Sequence, residues 1–203
     1  STSRGLGDVY KRQKEWEVLH TTTMPVIALR GLTVFPNVLI HFEVSRDISI
    51  KALETAMSAG SPIFLVGQKD IGVEQPDLGD LYQIGTISNI RQILRMPGDN
   101  VRVMVEGQSR GRMIQMLRTE PNLEAEVQEI PVQEVPARSS AKTEALMRAT
   151  YDLFQQYAEL APKLSPDLLI HVLASQDPGY IADYIAQNIA MRNADKQSVL
   201  EEL

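Results

Sequence analysis

The sequence predicts an α+β chain, with a small curled sheet or pseudo-barrel first and a bundle of helices after it. Three observations carry this. Up to residue 130, six apolar segments alternate or run short, separated by Gly, Pro and Asn. From residue 140 onward, apolar residues recur at helical spacing. Between the two lies Pro131-Val132-Gln133-Glu134-Val135-Pro136, where two prolines mark a change of structure.

Taken in order, residues 1–23 show no periodicity and read as a tag or non-native leader, placing the natural start near Met24. The strand candidates are 26–29, 38–44, 63–66, 84–94, 101–117 and 123–130. In 38–44, Val38, Ile40, Phe42 and Val44 share one face, while Leu39, His41 and Glu43 share the other. One helix interrupts the strands: Asp47 is a candidate N-cap, Ile50, Leu53 and Met57 lie on one face, and Gly60 and Pro62 end it. Met96-Pro97-Gly98-Asp99-Asn100 has the composition of a hairpin turn. The domains are therefore expected at 24–130 and 140–203, joined by a linker at 131–139. In the second, Leu146, Thr150, Leu153, Tyr157 and Leu160 form a stripe widened by Met147 and Phe154. Ser165-Pro166-Asp167 and Asp177-Pro178 are helix starts, with Pro in the first turn. A last helical segment runs over 195–203.

Composition narrows the function. With 203 residues and 43% apolar, the chain can build real cores. No apolar run exceeds four residues, as in Ile63-Phe64-Leu65-Val66, so no membrane span and no membrane partner are expected. A net charge of −6 without a basic stripe speaks against nucleic acid as the partner. Cysteine is absent, which removes thiolate nucleophiles, thiolate metal sites and disulfides. No phosphate-binding GxxxxGK[ST], HExxH or GxSxG occurs, and the three histidines lie far apart, so neither catalysis, nor a metal, nor a cofactor is expected of this chain.

The candidate functional residues are apolar ones placed where polarity is the norm. Leu39 falls on the polar face of its strand beside Phe35-Pro36, and Met96-Pro97 sits at a hairpin tip. Pro36, Leu39 and Met96 are expected to meet on the barrel surface as a patch that grips other chains, unless a second layer covers them. Arg46, Asp47 and Lys51, on the first helix, are candidates for added polar selectivity.

These same segments carry a resemblance. Met24-Pro25-Val26-Ile27-Ala28-Leu29-Arg30-Gly31 with Val34-Phe35-Pro36-Asn37 resembles the opening "PLLPLRDVVVFPG" of the N-terminal domain of bacterial Lon-family ATP-dependent proteases. Ser45-Arg46-Asp47 with Ser49-Ile50-Lys51-Ala52-Leu53-Glu54 is similar to "GREKSIKALE" of that family, and Asp80-Leu81-Tyr82-Gln83-Ile84-Gly85-Thr86-Ile87 to "DLYEVGTVA". Val103-Met104-Val105-Glu106-Gly107 resembles "VLVEG", Leu123-Glu124-Ala125-Glu126-Val127 "LEAEV", and Asp177-Pro178-Gly179 with Ile181-Ala182-Asp183 "DPGRLADLIA". Gly31 and Leu32 depart from the usual Asp-Val, and Ile48 stands where Lys is frequent.

The resemblance implies a PUA-like β pseudo-barrel followed by a helical subdomain. It implies a non-catalytic role in substrate recognition and hexamer support, without cofactor, for a cytoplasmic protease whose ATPase and Ser-Lys modules are not in this sequence. The implied partners are unfolded or degron-bearing polypeptides and further copies in a homohexamer. Phe35, Pro36, Leu39, Met96 and Pro97 are the expected substrate contacts. The alternative is a stand-alone PUA-like module for RNA or a small ligand; the aromatic cage a ligand would need is not visible, since the single Trp, Trp16, lies in the leader.

Overall fold

Strand β1 (Thr21–Leu29), from Met24 onward, and strand β3 (Ile63–Gly67) are nearly continuous apolar runs because both of their faces are covered. Val26 and Ala28 of β1 join Phe64 and Val66 of β3 in one core, with Met24, Ile87, Met113, Ala125 and Val127. Their sequence neighbours Ile27, Leu29, Ile63 and Leu65 enter a second core on the opposite face. That second core is closed by helix α1 (Asp47–Ala59), through Ala52, Leu53 and Ala56. Burying a leucine such as Leu53 contributes about 2 kcal/mol.

This computed structural model describes residues 21–132, 140–161 and 164–203. Its remaining strands are β2 (Leu39–Val44), β4 (Ile84–Arg95), β5 (Val101–Arg118) and β6 (Glu124–Glu129). The sheet order is β2-β5-β4-β3-β1-β6, and β5 also pairs with β6. That extra pairing closes β1, β3, β4, β5 and β6 into a ring compatible with the expected pseudo-barrel. The β1–β3 pair is parallel and the other pairs are antiparallel. The long β5 serves two neighbours in turn: its first half, up to Glu106, carries β2 outside the ring, and its second half, from Gly111, carries β6.

The helices are α2 (Ala141–Leu160), α3 (Pro166–Ala174), α4 (Pro178–Asn188) and α5 (Asn193–Glu201). Ser140 caps α2 by accepting from the Thr143 amide, and Asp177 caps α4 by accepting from Gly179 and Tyr180. Phe154, Val172 and Ile181 hold α2, α3 and α4 together. Ala186 and Leu200 dock α4 and α5 against Phe35 and Ile84 of the strand domain.

Several expectations change. Thr21, Thr22 and Thr23, read as leader, pair with β6 opposite Gln128, Val127 and Glu126. The rest of the expected leader, 1–20, and most of the expected linker, 133–139, lie outside the described residues. Arg46, not Asp47, occupies the N-cap of α1, and Asp47 is its first-turn acid. The buried side of α2 is Met147, Tyr151, Phe154 and Tyr157; Leu146, Leu153 and Leu160 of the expected stripe are 59%, 65% and 84% exposed. That helix carries apolar residues on two sides, and periodicity does not say which one faces the bundle.

Candidate functional site

The alternation read in β2 places Ile40, Phe42 and Val44 against the α1 core and turns Leu39, His41 and Glu43 outward. Register extends this outward face across three strands. Leu39 lies opposite Glu106, His41 opposite Met104 and Glu43 opposite Arg102. On the far side of β5, Met104 lies opposite Gln92 and Arg102 opposite Leu94. His41, Gln92, Leu94, Arg102 and Met104 line a shallow depression of about 210 Å³. Leu39 is 60% exposed and Leu94 is 47% exposed.

The charges on this face are paired among themselves. Arg102 donates to Glu43 at 2.7 Å, and Arg91 forks onto Glu106. The apolar side chains of Leu39, Met104 and Leu94 therefore sit between neutralised pairs, a surface suited to uncharged segments of another chain.

The expected patch is only partly assembled. Met96 is half-buried at the turn after β4, its N–H donating to the Asn100 carbonyl at 2.8 Å, and Pro97 is exposed beside Gly98 and Asp99, both in left-handed conformation. Leu39 lies opposite Glu106, whereas Arg95, the neighbour of Met96, lies opposite Val101. Five residues of β5 at about 3.4 Å each put them about 17 Å apart along the strand, on opposite sides of β5. The two positions are the ends of a stripe whose middle is Met104 and Leu94, residues not singled out from sequence. Met104 carried a signal, being apolar on the face shared by Arg102 and Glu106.

Phe35 and Pro36 are not on the surface. Phe35 is fully buried, packs with Ile84, Ala186 and Leu200, and donates its N–H to Gln187 Oε1 at 3.1 Å. Pro36 is buried as well. The segment lies so close over β5 that a Cβ on Gly107 would stand 2.2 Å from the Phe35 carbonyl oxygen. The layer covering Phe35 is α4 and α5, more than a hundred residues later in the chain.

The polar candidates also have internal partners. Arg46 is turned inward, donating to the Ala28 carbonyl and, at 3.2 Å, to Gln68 Oε1. Burial lowers its pKa, and the nearby positive charge of Arg30 adds to this. It is a brace between α1 and the loop after β3. Lys51 pairs with Asp47 at 2.6 Å, one turn apart on the exposed side of α1, and the hydrogen bond from this pairing raises the Lys51 pKa.

Comparison with known proteins agrees with this architecture. Residues 23–203 match the family described as the ATP-dependent protease La (LON) substrate-binding domain. The chain belongs to the Lon substrate-binding domain family. Lon protease of Clostridium acetobutylicum is 42% identical over 180 residues, covering 89% of this chain and 23% of that protein. Lon protease of Heliobacterium modesticaldum is 37% identical over 180 residues, covering 89% and 22%. The chain thus spans under a quarter of the length of these relatives. Among solved structures, the N-terminal domain of Mycobacterium avium complex Lon protease superposes with a TM-score of 0.72 at 20% identity, covering 90% of this chain and 91% of that one. The Lon N-terminal domain protein from Xanthomonas campestris gives 0.60 at 13% identity, covering 89% and 90%. At these identities the structures speak for the fold, which is that of a Lon N-terminal domain. No helix among the described residues is long and apolar enough to cross a membrane.

Proposed function

We propose that this Lon-type domain recognises unfolded or degron-bearing polypeptides for an ATP-dependent serine protease and takes no part in the chemistry itself. The observation that carries the proposal is the outward stripe from Leu39 through Met104 and Leu94 to Met96 and Pro97, flanked along the strands by the Arg102–Glu43 and Arg91–Glu106 ion pairs. A grip made of leucine and methionine surface is undemanding in direction and so tolerates many sequences. The same pairing counts against RNA as the occupant, because both arginines of this face are already held by glutamates. In this reading the domain works in the cytoplasm as part of a homohexamer whose repeated copies strengthen a weak individual grip.

Two or three apolar contacts, less the cost of association, set a single-domain affinity of about 10–100 μM. Fluorescence anisotropy with unfolded, carboxymethylated casein tests this. Saturable binding in that range, insensitive to moderate salt, supports the reading. Binding that disappears with added salt would place the grip in charge rather than in the apolar stripe.

A further inference from the structure

Closing the ring leaves one strand outside it. Among the described residues, β2 alone has a single strand neighbour along its whole length, and no described strand pairs with its second edge. An antiparallel ladder uses alternate residues, so half of the N–H and C=O groups of β2 point away from β5. Natural edges are normally blunted by bulges, prolines, lysines or a covering element. The strand itself carries no bulge, proline or lysine. Its register on β5 is unbroken from Leu39 opposite Glu106 to Val44 opposite Val101. It holds no proline and no lysine, and its one acid, Glu43, is tied to Arg102.

Elsewhere the irregularities are placed where β2 has none. The β4–β5 ladder shifts register at Ile87/Ser88 and at Ile90/Gln92, and the β5–β6 ladder at Met113/Gln115 and Met116/Arg118. The second half of β4 extends past its pairing with β3, but it carries one of these shifts, and its end is tied to α1 by Arg95 and Glu54.

We infer that the open edge of β2 receives an extended stretch of client polypeptide as an added strand. The inference rests on the substrate-recognition reading above and adds a backbone contact beside the outward stripe. Unpaired backbone donors and acceptors call for another extended backbone, and backbone pairing gives affinity without regard to side-chain identity. The outward side chains of the added strand continue the face of Leu39 and His41, beside the depression lined by Leu94 and Met104. The preferred client segment is therefore uncharged, free of proline and apolar at alternate positions. A second copy of this chain fits less well. A six-residue seam is about 20 Å long, too short by itself to approach the roughly 1,000 Å² of a stable interface.

The test uses the full chain and a synthetic peptide of alternating valine and threonine with terminal lysines. Two variants of the peptide carry N-methyl groups on the odd or on the even amides. An added strand donates from one set only, so one variant should bind about tenfold more weakly and the other nearly as well as the parent. Amide exchange of β2 should slow at alternate residues when the parent binds. If the parent binds and the two variants weaken equally, or not at all, the strand-addition inference is overturned while substrate recognition stands. If the parent does not bind while unfolded casein does, the inference alone falls; if neither binds, both fall. Protection of β2 that grows with protein concentration in the absence of peptide would make the occupant a second copy and overturn the inference.

Discussion

Arg110 of β5 and Asp183 of α4 form a two-pronged ion pair across the junction between strands and helices. The guanidinium donates at 2.8 and 2.7 Å to the two carboxylate oxygens, and its Nε donates to the Leu200 carbonyl at 2.9 Å. Asp183 is buried, 4% exposed, and Arg110 is half-buried, so the pair is largely out of water. With Phe35, Ile84, Ala186 and Leu200 it fastens α4 and α5 to the strand domain.

Breaking one side of this pair leaves a charge alone in a largely buried junction. Asp183→Ala should lower stability by about 3–5 kcal/mol, while replacing both partners with apolar residues of similar volume should cost much less. Urea unfolding of the single and double variants checks this; a double variant as unstable as Asp183→Ala would show that packing at the junction, not the orphaned Arg110, sets the loss.

Burial raises the Asp183 pKa, with the hydrogen bonds from Arg110 pulling it back down. A raised folded value means that the folded chain binds this proton more readily than the unfolded one. The group's contribution is therefore full below the ordinary aspartate value of about 3.9 and is lost as pH rises through the folded value. Against Asp183→Asn, the wild-type advantage in unfolding free energy should fall as pH rises through that window and then level off. An advantage that grows with pH would mean that Arg110 outweighs burial.

Gly107 lets the Phe35–Pro36 segment lie on β5, with a Cβ position 2.2 Å from the Phe35 carbonyl oxygen. The obstacle is backbone and cannot rotate away. Gly107→Ala should cost about 3 kcal/mol and loosen α4 and α5 along with the segment. Thermal unfolding with amide exchange on α4 reads both effects; unchanged protection of α4 would contradict the coupling.

The stretch 131–140, with its two prolines, should be an early site of protease cleavage. The Arg110–Asp183 pair and the Phe35 cluster then predict that the two fragments stay together on a sizing column. Fragments that separate at neutral pH would mean that the junction is too weak to couple the parts.

The β2 alternation, the Gly60 stop of α1 and the Asp177 cap were legible because each is a local signal read over a few residues. Phe35 is buried where the sequence places it on the surface because its cover comes from Gln187, Ala186 and Leu200, and no local pattern announces contact across such a separation. Leu39 and Met96 were rightly read as departures from local polarity, but their distance depends on how β2 is registered along β5, which alternation does not contain. Arg46 reads in sequence as a helix-surface cation; only the path of the loop after β3, with Gln68 beneath it, turns it inward.

The central claim is that the outward stripe grips unfolded polypeptide, and its most direct measurement is client binding by Leu39→Glu and Leu94→Glu, side by side with melting temperature. Both side chains are about half exposed or more, so a glutamate there meets water and the fold should hold. The account predicts that each variant melts within a few degrees of the wild type and binds unfolded, carboxymethylated casein at least about tenfold more weakly, since each loses an apolar contact of 1–2 kcal/mol and places a charge on the client. Variants that fold normally and bind casein as well as the wild type would contradict the claim.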